Sequence, residues 1–190
     1  MSERELPEWL AELGQIDRAL YEAVAETPTP ALDAAMRRLS QAADHSKLSI
    51  ASAGVLAIAG GSTGRAAARS GLIAVATTSA FVNLGLKRLA RRRRPDRAGV
   101  SSSPARHVEM PTSRSFPSGH SAAAVAFASG VGNVSAPAAL PLHVLAAVVG
   151  YSRVHTGVHY PGDVVAGALL GAIIADITAS ISRISTKSRS

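Results

Sequence analysis

Three short groups of residues carry the chemistry open to this chain. The first is Lys87, followed by Arg94 and Pro95. The second is Pro117-Ser118-Gly119-His120. The third is Ser152-Arg153, followed by His159 and Asp163. Lys87, Arg94 and Arg153 are cations that can surround one tetrahedral oxyanion. Arg grips phosphate bidentately and Lys acts as a point charge. Ser118 and Gly119 precede a predicted helix, whose free N–H groups and dipole favour an anion. His120 and His159 supply a nucleophile and an acid, in an order that residue types leave open. Asp163 can orient an imidazole. This inventory suits phosphoryl transfer. The sequence shows neither the clustered carboxylates of a magnesium site nor the Gly-rich loop of a nucleotide-binding fold. The expectation is chemistry without metal or cofactor.

The elements that must position these residues follow from the apolar pattern. Leu13, Ile16, Leu20 and Val24 fall at helical spacing, and Thr27-Pro28-Thr29-Pro30 ends that segment. Leu32, Ala35, Met36 and Leu39 share the next face, opposite Arg37 and Arg38. Residues 1–44 therefore read as amphipathic helices at an interface or beside a bundle. Apolar runs follow at 48–61, 70–86, 121–150 and 164–182, the third read as a hairpin of two helices marked by Asn133, Pro137 and Pro141. Several approach the roughly 20-residue spanning length. The expected architecture is an all-α antiparallel bundle of about six helices, four or five of them spanning. The bundle is assigned to residues 45–182, with a catalytic loop at 87–119 and a polar basic tail at 183–190. Antiparallel helices bring all three motif groups to one end. Gly167 and Gly171 form a small-xxx-small face for close packing.

Taken together and in order, Lys87-x6-Arg94-Pro95, Pro117-Ser118-Gly119-His120 and Ser152-Arg153-x5-His159-x3-Asp163 resemble the three signature motifs of the type 2 phosphatidic-acid phosphatase superfamily. The resemblance covers roughly residues 45–182. It implies that His159 attacks phosphorus to form a phosphohistidine and that Asp163 holds its tautomer. It implies that His120 protonates the leaving oxygen and then activates water. Lys87, Arg94, Ser118, the Gly119 N–H and Arg153 would bind the phosphoryl oxygens. The apolar runs near the site favour a multi-pass enzyme of the cell membrane acting on a lipid-linked phosphate. Overall likeness to small actinobacterial members suggests a polyprenyl-phosphoryl phosphoribose. Phosphatidic acid, phosphatidylglycerol phosphate and a polyprenyl diphosphate are alternatives. A vanadate-type haloperoxidase and a non-enzymatic lipid-binding module are the competing classes.

Composition agrees with this reading. The chain has 190 residues and no cysteine, which excludes disulfides and thiolate metal sites. It is 47% hydrophobic but only 4% aromatic, as small-residue helices of a membrane bundle require. Nine of the twenty Lys and Arg residues lie in the catalytic loop. Arg94 is assigned to phosphate, while Arg88 and Arg91 to Arg93 read as surface or headgroup contacts. No nucleic-acid partner is expected; membrane lipids are, and small-residue faces permit a homo-oligomer. His155, His159 and Asp163 are spaced by four, like metal ligands on one helix face. Gly157 and Pro161-Gly162 break such a helix, leaving His155 at the site entrance or in a structural role. Asp176 reads as a carboxylate that meets water. Trp9 and Tyr21 read as interfacial anchors or core.

Overall fold

Small residues set how this chain packs. The computed structural model describes residues 8–187. Residues 1–7 of the predicted N-terminal segment and 188–190 of the predicted tail lie outside them. Seven helices form among the described residues: α1 (Glu8–Glu26), α2 (Pro30–Ala42), α3 (Lys47–Ala59), α4 (Gly61–Leu89), α5 (Gly119–Gly132), α6 (Ala136–His155) and α7 (Pro161–Lys187). No strand is present among the described residues. The all-α bundle is as expected, with seven helices rather than about six. The tail continues α7 as far as Lys187.

The central element is α5, which packs against α4, α6 and α7. Its sequence, Gly-His-Ser-Ala-Ala-Ala-Val-Ala-Phe-Ala-Ser-Gly-Val-Gly, is apolar on every side, as a helix surrounded by others must be. Phe127 and Val131 join Ala67, Ala68 and Val75 of α4 in the main core. Against α7 the approach is backbone to backbone. A Cβ on Gly167 would collide with the Ser118 carbonyl oxygen, and one on Gly171 with that of Ala122. The small-xxx-small face is therefore the seam that sets α7 beside the start of α5.

Large side chains face outward instead. Val165, Leu169, Ile173, Ile177, Ile181 and Ile184 form an exposed stripe along α7. Leu140, Val144 and Val148 do the same on α6. An exterior more apolar than the seams is the arrangement that lipid favours. Three helices are long and apolar enough to cross a membrane: α4, α6 and α7. The expectation of four or five included the runs now seen as α3 and α5, which have 13 and 14 residues. At 1.5 Å per residue such helices reach about 21 Å, short of a roughly 30 Å hydrocarbon core.

The N-terminal helices pack over the catalytic end. Tyr21 of α1 is 3% exposed and belongs to the core, whereas Trp9 is 59% exposed. Asp33 of α2 is buried between Arg106 Nε, at 3.1 Å, and His155 Nε2, at 3.0 Å. His155 is thus engaged by Asp33 in a structural ion pair. Arg106 also donates to the Val24, Ala25 and Thr27 carbonyls that end α1. These are the orphan acceptors of a helix C-terminus.

Candidate active site

The loop between α4 and α5 is ordered by its arginines. The segment Arg91–Arg94 belongs to no helix or strand, and its side chains alternate in exposure. Arg91 and Arg93 are exposed; Arg92 and Arg94 turn inward. Arg97 donates to the carbonyls of Val108, Thr156 and Gly157, tying the loop to the turn after α6. Gly157 permits that turn by adopting a left-handed φ of 69°. The Ser115 N–H donates to the Arg92 carbonyl at 3.1 Å, which closes the loop beneath α5.

His159 and Asp163 sit where this loop meets the start of α7, and both are fully buried. His159 Nδ1 lies 3.5 Å from Asp163 Oδ2. Its Nε2 lies 3.2 Å from Arg94 Nη1, a group that can only donate. The carboxylate therefore holds the proton on Nδ1, and the lone pair on Nε2 faces a cation. Asp163 accepts further bonds from Ser115 Oγ at 2.5 Å, the Tyr160 N–H at 3.0 Å and Arg92 Nη1 at 3.1 Å. Burial, and then the charges of Arg94 and Arg153, push the His159 imidazole down to about 4, against the support of Asp163.

Arg94 connects this buried pair to an open cleft. Its Nε donates to the Ser113 carbonyl at 2.9 Å and its Nη2 to Ser113 Oγ at 3.2 Å. Lys87 Nζ reaches the same hydroxyl at 3.4 Å. The cleft has a volume of about 590 Å³, and its walls include Lys87, Ser113, Gly119, His120 and Arg153. Lys87 Nζ would stand 3.4 Å from a Cβ on Gly119, so the ammonium faces the helix N-terminus directly. Ser118 caps α5, its Oγ accepting from Ser121 Oγ at 2.9 Å. Its N–H donates to the Asp163 carbonyl at 2.9 Å. Arg153 is buried; its Nη1 donates to Ser40 Oγ at 2.6 Å, and its Nε has no acceptor. Phosphoryl oxygens are the acceptors such a donor set fits.

All eight residues singled out in the sequence thus converge at one end of the bundle. Lys87, Gly119, His120 and Arg153 line the cleft; Ser118, His159 and Asp163 lie behind it, with Arg94 between. No group of three or more potential metal ligands occurs among the described residues. The sequence reading missed several supports. Arg92, expected at the surface, bridges Asp163 and Asp17 Oδ2. Its guanidinium also lies 4.4 Å above the Tyr160 ring. Asp17 in turn accepts from the Gly162 N–H at 2.6 Å, where a carboxylate suits the start of α7. Period-two counting through Arg91–Arg94 could have found Arg92. Ser113 and Ser115 stand just before Pro117, and that proximity was their only signal. Asp17, Ser40 and Asp44 come from distant sequence and gave none.

Comparisons with known proteins bear on this geometry. The match to the PAP2 superfamily runs over residues 68–187. The chain is 39% identical over 97 residues to decaprenylphosphoryl-5-phosphoribose phosphatase of Mycobacterium tuberculosis, in the CDC 1551 and H37Rv strains. That alignment covers 50% of this chain and 51% of each relative, so the match spans about half their length. Two crystal structures share the fold. One is the transmembrane PAP2-type phosphatidylglycerolphosphate phosphatase from Bacillus subtilis, with a TM-score of 0.67 and 24% identity over 90% of this chain and 87% of that one. The other is Aquifex aeolicus LpxE, with a TM-score of 0.69 and 20% identity over 95% and 99%. The family match covers more than half the chain and takes in every group from Lys87 to Asp163. On that ground this chain belongs to the PAP2 superfamily.

Proposed function

We propose that this protein is a membrane-embedded, metal-independent phosphatase that releases phosphate from a lipid-linked monoester through a phosphohistidine at His159. The observation that carries the reading is the placement of His159 Nε2 against Arg94, with Asp163 on the opposite ring nitrogen. A neutral imidazole with a fixed Nδ1–H is the nucleophile this chemistry needs. Attack forms the N–P bond while the P–O bond to the lipid-linked alcohol breaks. His120 gives that oxygen a proton, then takes one from the water that releases phosphate. Lys87, Arg94, Arg153, Ser118 and the Gly119 N–H hold the phosphoryl oxygens and supply the positive charge that a metal provides elsewhere.

The apolar stripes of α6 and α7 favour a lipid-linked substrate. The named relatives suggest a polyprenyl-phosphoryl phosphoribose. A panel of lipid phosphates decides the point. It should include decaprenylphosphoryl-5-phosphoribose, phosphatidylglycerol phosphate, phosphatidic acid, undecaprenyl diphosphate and a soluble ester, each with EDTA. The phosphoribose lipid is expected to give the highest kcat/KM, undiminished by chelator. Preference for the soluble ester, or loss of activity in EDTA, contradicts the reading.

A further inference from the structure

Asp44 belongs to neither the family match nor any motif, yet it reaches the cleft. It sits in the short link between α2 and α3. Its Oδ1 lies 2.8 Å from His120 Nε2 and 3.8 Å from Arg153 Nη1. The backbone there is unusual. His45 and Ser46 follow at φ 56° and 58°, two successive non-glycine residues in the left-handed region. Such strain persists only where the surroundings hold it, and it concentrates at functional sites. Here it turns the chain into α3 while Asp44 stays against His120.

We propose that Asp44 is a positioning residue for His120, holding a proton on Nε2 so that Nδ1 is the atom that exchanges protons with substrate and water. The proposal rests on the phosphatase reading above. When the ester bond breaks, the Nδ1 proton goes to the leaving oxygen and the imidazole becomes neutral, keeping its Nε2–H on Asp44. The free Nδ1 lone pair then takes a proton from the attacking water as the N–P bond at His159 breaks. This is the service a carboxylate gives the catalytic imidazole of a Ser-His-Asp triad. His120 needs it because burial, and then the charge of Arg153, oppose a proton. Arg153 faces it from α6, His159 from the turn before α7, and Lys87 shares the cleft from α4. Glu109 and His45 complete the titratable groups of that cleft.

The test uses Asp44→Asn in the full chain, with kcat/KM measured on two esters. One is the fastest lipid phosphate of the panel above, whose alkoxide leaves poorly. The other is p-nitrophenyl phosphate, whose phenolate leaves without help. Asp44→Asn is expected to slow the lipid phosphate by about 10- to 100-fold and the aryl ester by less than about threefold. The ratio comes from one preparation, so a partly folded sample does not change it. Adding Asp44→Asn to His120→Ala should cause no further loss. Equal slowing of both esters, or a further loss in the double variant, overturns the proposal. So does faster turnover with tighter orthovanadate inhibition, because the carboxylate would then compete with phosphate for Arg153. A wild type that hydrolyses neither ester overturns the phosphatase reading itself.

Discussion

Burial holds both His120 and His159 near 4 instead of the usual 6.5. In the resting site both imidazoles are therefore neutral at neutral pH. On the proposed roles, His159 is ready to attack and His120 lacks the proton it would give. A phosphate monoester, whose second ionisation lies near pH 6, can bring that proton as its monoanion. The expected kcat/KM profile is a bell. It falls below about pH 4, where His159 is protonated and cannot attack. It falls above about pH 6, where substrate and His120 together hold one proton too few. A plateau extending through pH 8 contradicts this assignment. Ser115 belongs to the same scale. Its hydroxyl donates to Asp163 and lies 3.4 Å from His159 Nδ1. Ser115→Ala should lower kcat by about tenfold without a matching rise in KM, as loss of a partner to an orienting group does.

The elements succeed by two devices, one visible in the sequence and one not. Gly167 and Gly171 were legible as a packing face, and they bring α7 against the α5 backbone. Gly171→Val should therefore cost about 1–3 kcal/mol through overpacking. The thermal midpoint in detergent is expected to drop by several degrees; an unchanged midpoint contradicts the seam. The motif residues were legible too, because each stands at a helix end that local pattern predicts. What holds them was hidden. Asp17, Asp33 and Asp44 are ordinary charges on or beside amphipathic helices, and only tertiary structure shows them meeting Arg92, Arg106 and His120. The four-arginine run looked uniform, but its side chains alternate between exposed and half-buried. Arg92→Ala should slow turnover by about 10- to 100-fold, since it uncouples α1 from Asp163. Arg91→Ala, outside that contact, should change turnover by no more than about twofold. Equal effects of the two substitutions contradict the alternation.

As a whole, the molecule packs its helix seams with small residues and turns large apolar ones outward, with Lys87, Arg94 and Arg153 gathered at one end. Ile173 of α7 is 55% exposed, while Ala126 of α5 and Ala175 of α7 are buried in the seam. That inversion explains how 47% hydrophobic residues coexist with so few aromatics. In the proposed mechanism phosphate passes through His159. The most direct measurement is rapid mixing with a lipid phosphate in EDTA, an alkaline quench that preserves phosphohistidine, and mass spectrometry of the resulting peptides. The expected result is a transient phosphoryl group on the peptide carrying His159 in the wild type, accumulating in His120→Ala when p-nitrophenyl phosphate is the donor, and absent from His159→Ala. Phosphate release by His159→Ala at the wild-type rate, with no phosphopeptide in any variant, would contradict it.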